Sequence, residues 1–320
     1  MKHVFVFDPK AFAGQEWKID QMLDTLGQFF RTQENPDFSI HYSRYRRHAI
    51  GIINNEAEKA ASGETVRVYA VGGDEILFDC LNSAIYFPNI QLAMIPYGAS
   101  NDFLKIFGES NVEIFRNITA AVTSEAIPTD VMRWGVNYAL NSCYIGMNSA
   151  VSQRTMRIGS NLGRRSFLLF SKFLFFINSI LLSFNKQIAR KAYKITIDDD
   201  DYSGNYSIIH IANGPYYAGR ITGAKFATPN DGLLDVSLIK SSNPIGTLLS
   251  MRKYSRGEKP KNCIFLQAQK ITVESDNQMW IQFDTEYIQD TSVHINVVHR
   301  AVNFISASNL SYPIASITAF

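Results

Sequence analysis

Apolar residues follow two alternating patterns in the first third of the chain. Short apolar runs typical of buried strands lie at 3–8, 38–43, 66–71 and 91–96. The segments between them carry apolar residues at helical spacing, and they lie at 15–31, 46–62 and 75–85. This alternation predicts a mostly parallel sheet with helices on both faces. Ligands of such sheets bind at the carboxyl ends of the strands.

The pattern changes after Pro128. From there the chain reads as short strands joined by turn residues, with one apolar helix inserted after residue 151; the strands lie at 129–135, 137–145, 192–197, 205–212, 233–239, 270–275, 279–284 and 292–298. We predict an α/β N-terminal domain with a mostly parallel, Rossmann-like sheet and a mainly β, sandwich-like C-terminal domain. The expected bounds are 1–128 and 129–302, with the tail 303–320 completing the first domain. A cleft between the two is the natural place for chemistry.

Segment 166–184 (SFLLFSKFLFFINSILLSF) is apolar but lacks the pattern of a membrane-spanning helix. Its polar residues recur at three-, four- and seven-residue spacing and form one stripe on a helix; they are Ser171, Lys172, Asn178, Ser179 and Ser183. Two placements fit such an amphipathic helix, a buried core element and a surface that touches a membrane. Basic flanking residues, Arg164, Arg165, Lys186 and Arg190, favour membrane contact because anionic headgroups attract them.

The composition bears on the number of domains, the kind of partner and the cellular compartment. With 320 residues, 46% of them apolar and 19% charged, the chain is long enough for two folded domains. The net charge is only +2, so the total charge gives no reason to expect a nucleic-acid partner. Three widely spaced cysteines and a start without an export leader lead us to expect a cytoplasmic protein without a zinc site or disulfide framework.

Two segments combine small residues with carboxylates at the ends of predicted strands. Residues 71–74 (VGGD) follow the third strand, where glycines let the backbone approach a ligand and the next helix directs free N–H groups towards it. Residues 96–103 (PYGASNDF) repeat the arrangement after the fourth strand. A turn or a helix cap explains either segment alone. Two such loops on neighbouring strand ends favour a phosphate-binding site, with Asp74 available to magnesium.

Two further segments lie in the predicted β region. Residues 228–235 (TPNDGLLD) contain an Asp-Gly turn before an apolar strand, which by itself indicates a hairpin. Residues 283–286 (FDTE) place Asp284 and Glu286 at a strand end, and alternation along a strand would put both carboxylates on one face. Such a pair is able to share metal binding and general-base work, although exposed acidic pairs are more common than catalytic ones.

Together these segments resemble the diacylglycerol kinase catalytic family, which includes sphingosine and ceramide kinases and the bacterial lipid kinases. The resemblance covers nearly the whole chain, and its most specific parts are GGD at 72–74, GxxND-F at 98–103, NGPYY at 213–217, ATPNDGLLDV at 227–236 and Asp-x-Glu at 284–286. It implies a two-domain kinase that uses ATP as phosphoryl donor and Mg²⁺ as cofactor. The γ-phosphoryl group would pass in line to the hydroxyl of a diacylglycerol-like lipid.

The resemblance also implies roles for individual residues. Glu286 would take the proton of the lipid hydroxyl, with Asp284 assisting. Asp74 would organise magnesium and the phosphates, and Asp130 would support that metal network. The nucleotide-binding positions are those in and around the glycine loops, namely Asp8, Gly72, Gly73, Glu75, Gly98, Ala99 and Asn101.

A second metal ion, with a structural role, is also implied by the resemblance. Its ligands would be Asp231 and the backbone carbonyl groups of Thr228 and Leu233. The expected partners are the lipid substrate and, transiently, a membrane surface, which corresponds to a cytoplasmic protein peripheral to the membrane. No nucleic acid is expected, and a homodimer is left open.

The departures from the family pattern lie in the nucleotide loops. Glu75 stands where glycine is usual, and a carboxylate at a helix N-terminus occupies the place of a phosphate and repels it. Ala99 replaces a threonine and Asp8 an asparagine, which removes a donor and adds a negative group. Two hypotheses therefore stand: an ATP-dependent lipid kinase, and a catalytically silent lipid-binding or regulatory protein with an impaired nucleotide site.

Overall fold

The computed structural model describes residues 1–33, 36–61, 63–159, 164–217 and 222–313, and side chains for all of these except 164–169. The strands are β1 (Lys2–Phe7), β2 (Phe38–Tyr42), β3 (Val66–Gly72), β4 (Ile90–Pro96), β5 (Ala126–Trp134), β6 (Asn137–Ala139), β7 (Ser142–Gly146), β8 (Lys191–Ile197), β9 (Asp200–Asp201), β10 (Gly204–Ala212), β11 (Leu234–Lys240), β12 (Cys263–Ala268), β13 (Lys270–Phe283) and β14 (Glu286–Ile305).

The helices alternate with the strands in the first part of the chain and cluster after β7 in the second. The α-helices are α1 (Trp17–Arg31), α2 (His48–Lys59), α3 (Asp74–Ala84), α4 (Ile118–Thr123), α5 (Met147–Gly159), α6 (Arg164–Ser183), α7 (Lys186–Ala189) and α8 (Pro244–Tyr254). Short 3-10 helices lie at Pro9–Phe12, Phe103–Phe107, Glu109–Arg116 and Ala307–Asn309.

The first four strands pair in parallel in the order β2-β1-β3-β4. β1 and β3 are buried along almost their whole length, which explains why both consist largely of apolar residues without alternation. α1 presents Met22, Leu26 and Phe30, spaced by four residues, as its buried stripe. α2 and α3 cover one face of these strands, and α1 and α4 cover the other.

The separate, mostly parallel sheet predicted for the first domain is not found. The described strands form one continuous fourteen-stranded sheet, in which antiparallel pairs outnumber parallel ones. β14 joins the two parts into this one sheet. Its 20 residues pair antiparallel with β13 and β5 and then parallel with β4 at Asn303 and Phe304. The division into an α/β part and a mainly β part agrees with the prediction. Residues 314–320 of the expected tail lie outside the described residues.

Segment 166–184 forms most of α6, and three residues of its polar stripe face the protein, whereas Lys172 is exposed. Asn178, Ser179 and Ser183 are buried, and Asn178 Nδ2 donates a 3.0 Å hydrogen bond to Thr155 Oγ1 on α5. Both serine hydroxyls donate to carbonyl groups of the same helix. The aromatic residues on the opposite side of α6 are exposed. No helix within the described ranges is both long and apolar enough to cross a bilayer.

Several elements were not predicted from the sequence, among them β9, β12, α4, α7 and α8. The start of α8 nevertheless carries a readable signal, since Asn243 caps it by accepting a 2.7 Å hydrogen bond from Gly246 N, and Pro244 occupies the first helical position. β14 also extends far beyond the expected strand at 292–298 in both directions. Its length places the two ends of one strand in different parts of the molecule.

Candidate functional site

The two glycine turns touch each other at the carboxyl ends of β3 and β4. Gly72 pairs with Pro96, and the Gly72 carbonyl oxygen accepts hydrogen bonds from Tyr97 N at 2.7 Å and Gly98 N at 2.9 Å. A Cβ atom on Gly73 would lie 3.1 Å from the Gly98 Cα, and a Cβ atom on Gly98 would overlap the Gly73 Cα. Glycine at both positions is therefore required for this approach.

Three carboxylates converge beside these turns. Asp74 is the first residue of α3, Asp102 follows the second turn, and Asp284 follows β13. Asp102 N donates a 3.0 Å hydrogen bond to Asp74 Oδ1, and Lys105 Nζ lies 2.6 Å from Asp102 Oδ1. The charge of Asp284 also acts on Asp74. The structure therefore brings Asp74 and Asp284 together where the α/β and β parts meet.

Two of these carboxylates, Asp74 and Asp284, have raised pKa values. Burial, followed by the charges of Asp102 and Asp284, raises the pKa of Asp74 to about 8. Burial also raises the pKa of Asp284 to about 6, although the N–H groups of Leu140 and Ser142 each donate to its carboxylate at 2.8 Å. Carboxylates that burial and mutual repulsion disfavour in their charged form are suited to bind a cation, which offsets both effects.

The donor set of the cluster fits magnesium, which prefers carboxylate oxygens and water. Asn101, buried in the second glycine turn, has an Oδ1 atom without a hydrogen-bond partner, so a further oxygen is available there. Within the part of the chain that the structure describes, no group of three or more His, Cys, Asp or Glu side chains forms a ready-made metal site. Asp74 and Asp284 thus provide a partial ligand set, which water and nucleotide oxygens would complete.

Glu286 and Asp284 do not share one face of a strand, contrary to the expectation from alternation. Asp284 and Thr285 form the two-residue turn between β13 and β14, and Asp284 has a φ of 45°. Glu286 begins β14, and its carboxylate lies 2.7 Å from Arg46 Nη2 and 3.5 Å from Arg47 Nη2. The candidate base is thus held by two arginines that directly precede α2.

The other nucleotide-binding candidates surround the glycine turns. A Cβ atom on Gly72 would lie 3.0 Å from the Asp8 Cβ, so Asp8 is beside the first turn. The Asp8 carboxylate accepts a 3.0 Å hydrogen bond from Lys10 N and so caps a 3-10 helix. Ala99 is exposed in the second turn. Asn101 Nδ2 donates a 3.0 Å hydrogen bond to the carbonyl oxygen at the start of the same turn.

Glu75 is exposed at the second residue of α3. Burial and, to a smaller extent, the Glu75 charge raise the pKa values of Asp79 and Tyr287. The Glu75 carboxylate therefore lies within electrostatic range of both side chains. Because water screens exposed charges, its repulsion towards a phosphate is at the lower end of what the sequence suggests.

Asp130 is bound to the turn that contains Asp231, not to the carboxylates beside Asp74. Its carboxylate accepts hydrogen bonds from Gly232 N and Arg300 N, each at 2.7 Å. His299 Nδ1 lies 2.8 Å from the same carboxylate, which is fully buried. With three donors in place, Asp130 connects this turn to β14. The expected support of the metal network by Asp130 stays a prediction, which these contacts do not require.

The residues expected to hold a structural metal lie on one turn. Asp231 Oδ1 accepts a 3.0 Å hydrogen bond from Leu233 N, and Thr228 Oγ1 donates a 2.9 Å hydrogen bond to Asn230 Oδ1. Burial raises the pKa of Asp231. These hydrogen bonds account for the turn without an ion, and the metal at Asp231 stays a prediction.

Three residues of the site were not singled out from the sequence, namely Asp102, Arg46 and Arg47. Asp102 carried a usable signal, because it follows its glycine turn as Asp74 follows the first one. Arg46 and Arg47 lie in the basic segment 44–47 (RYRR), and nothing local in the sequence connects them with Glu286.

Two family models match the chain. The model of the diacylglycerol kinase catalytic domain matches residues 2–134, and that of the YegS C-terminal NAD kinase beta sandwich-like domain matches residues 141–306. The second match alone covers more than half of the chain.

Individual proteins agree with these matches. A Shewanella frigidimarina protein named "Probable lipid kinase YegS-like" is 23% identical over 259 residues, which cover 78% of this chain and 80% of the relative. A solved structure of a diacylglycerol kinase from Bacillus anthracis strain Sterne superposes with a TM-score of 0.69 at 20% identity, covering 97% of this chain and 98% of that one. At this identity the superposition shows a shared fold. The fold and the matched domains together show that the chain belongs to the diacylglycerol kinase catalytic-domain family, with a YegS-type C-terminal domain.

Proposed function

We propose that this protein is an ATP-dependent kinase that transfers a phosphoryl group to the hydroxyl of a diacylglycerol-like lipid. The observation that carries this proposal is the meeting of Asp74, Asp102 and Asp284 beside two touching glycine turns. The name of the Shewanella relative, a lipid kinase, supports the same chemistry.

The glycine turns form the donor side of the site. Gly73 and Gly98 let the two turns touch, and the first N–H groups of α3, which begins directly after Gly73, would be available to phosphate oxygens beside them. Asp74 and Asp284 would hold magnesium, which when bound would neutralise charge on the transferred phosphoryl group. Lys105, paired with Asp102, adds a positive charge behind the carboxylates.

Glu286 forms the acceptor side. As a carboxylate at the start of β14, it would accept the proton of the lipid hydroxyl at Oε while the hydroxyl oxygen attacks phosphorus. Arg46 and Arg47 orient that carboxylate in this structure. Substrate entry must weaken the contact with Arg46, whose side chain is exposed and whose ion pair is therefore easily exchanged for water.

A silent lipid-binding protein is the second candidate function. It is favoured by Glu75 at the phosphate-binding end of α3 and by the engagement of Glu286 with two arginines. The first feature would weaken phosphate binding and the second would occupy the proposed base, and neither affects the fold.

Transfer of radiolabelled phosphate from ATP with Mg²⁺ tests the two candidates. The acceptor panel contains diacylglycerol, ceramide, sphingosine and phosphatidylglycerol, and the kinase proposal expects label on diacylglycerol. Nucleotide binding is measured separately by thermal shift, since ATP at a hundred times its dissociation constant stabilises a fold by about 2.7 kcal/mol. No labelled lipid and no shift, with lipid binding retained, would favour the silent protein.

A further inference from the structure

α6 has the reverse polarity of a helix on the surface of a soluble protein. Its polar residues Asn178, Ser179 and Ser183 are buried, whereas many of its large apolar residues face outwards. The exposed set on and just after α6 consists of Phe170, Phe173, Phe176, Ile177, Leu181 and Phe184. Phe173 and Phe176 are 61% and 59% exposed, so most of each ring would be in contact with water. Single exposed apolar residues are ordinary, but a contiguous patch marks an interaction site.

α8 extends the same surface. It packs against α6 and exposes Ile245 and Leu249, which are four residues apart and lie on one side of the helix. Arg252 follows on that side, one turn further along, and is exposed together with Lys253. We use the name docking face for the exposed apolar residues of α6 and α8.

The charge around the docking face is of one sign. Lys172 and Lys186 are exposed next to the apolar residues of α6, and Arg252 and Lys253 border those of α8. The sequence contains no Asp or Glu at 131–197 or at 236–257, the segments that contain α6 and α8. An apolar surface with a purely basic border is complementary to lipid tails below anionic headgroups.

We propose that the docking face binds the surface of an anionic lipid bilayer, with the aromatic rings inserted at the level of the headgroups. A second copy of this chain fits less well, because a symmetric contact would bring the basic border against itself. The proposal goes beyond phosphoryl transfer, since it applies equally to an active kinase and to a silent lipid-binding protein.

Vesicle co-sedimentation without nucleotide tests the proposal independently of kinase activity. Vesicles of phosphatidylcholine with phosphatidylglycerol are compared with vesicles of phosphatidylcholine alone. We expect binding to the anionic vesicles, and weaker binding at high salt because the charges are screened. The double variant F173S/F176S should bind at least about tenfold more weakly, because two apolar rings no longer enter the bilayer. The double variant R252Q/K253Q should lose about fivefold per charge, and only with anionic vesicles.

The matched control is Trp17→Ser, which removes an aromatic ring of similar exposure from α1 in the other part of the molecule. It should bind vesicles like the unaltered protein. All variants should unfold at the same temperature, because the changed side chains are exposed. The proposal is overturned if the unaltered protein does not bind anionic vesicles, or if F173S/F176S binds them equally well. It is also overturned if sedimentation shows a dimer that F173S/F176S converts to a monomer, since the docking face would then be a contact between copies.

Discussion

Arg46 Nη2 donates a 2.7 Å hydrogen bond to the Glu286 carboxylate, although 240 residues separate the two along the chain. The same guanidinium group donates to the carbonyl oxygen of Thr285 at 3.2 Å. The segment before α2 therefore reaches across the site and contacts the hairpin turn that carries Asp284. This contact joins the α/β part to a hairpin of the β part, and it concerns the residue proposed to act as base.

Glu286→Gln should lower phosphoryl transfer at least about a hundredfold, because a general base contributes that much and an amide does not accept the proton. The dissociation constant of ATP, measured by calorimetry, should remain nearly unaltered, since Glu286 does not belong to the glycine turns. Glu274→Gln is the matched control on β13, and Arg46→Gln shows whether loss of the ion pair alone has an effect. Full activity of the Glu286 variant would remove it from the role of base.

Glu75→Gln should tighten ATP binding by about fivefold, because it removes a negative charge near the phosphate-binding end of α3 and keeps the side-chain shape. Turnover should rise as well. Glu58→Gln removes a likewise exposed charge from α2 and should change neither quantity. Equal affinity of the Glu75 variant and the unaltered protein would show that this carboxylate is not what limits the nucleotide site.

The raised pKa values of Asp74 and Asp284 predict a pH dependence of stability. Both values lie above that of an unfolded aspartate, so the folded protein binds protons more tightly. Stability should therefore decrease as the pH rises from about 4 towards 8. Thermal unfolding between pH 5.5 and 8.5 should show this decrease, and Mg²⁺ should reverse it by replacing the protons.

Asp74→Asn should flatten that pH dependence and remove the stabilisation by Mg²⁺, because the titrating carboxylate is lost. Asp24→Asn, on the exposed side of α1, should leave both unchanged. If the Asp74 variant keeps the pH dependence of stability and the stabilisation by Mg²⁺ of the unaltered protein, neither effect arises from this carboxylate.

Asp130→Asn should destabilise the fold by about 2 kcal/mol, because an amide group would face backbone donors and leave at least one of them unsatisfied. Chemical denaturation with and without Mg²⁺ should give the same loss, and Asp276→Asn on β13 serves as the exposed control. A loss that appears only when magnesium is present would instead assign Asp130 to a metal site.

The glycine turns of the site could be predicted from the sequence, whereas contacts between distant segments could not. Residues 72–74 and 98–102 could be placed because strand order brings the ends of neighbouring parallel strands together. The contact between Arg46 and Glu286 depends on the packing of two distant segments, which no periodicity describes. Asp284 was expected on a strand face, but alternation does not extend through a two-residue turn. In α6 the stripe of polar residues was visible, whereas the side facing the protein depends on partners such as Thr155 on α5.

β14 has a consequence for attempts to produce the two halves separately. Asn303 and Phe304, near the end of this strand, pair with Gln91 and Leu92, so the N-terminal α/β part depends on a strand encoded near the other end of the gene. A truncated protein ending at residue 134 would leave the β4 edge without this neighbour, and such edges recruit strands from other molecules. Genetic truncation should therefore yield aggregated material, whereas adding back a peptide of residues 286–305 in trans offers a route to a soluble N-terminal half.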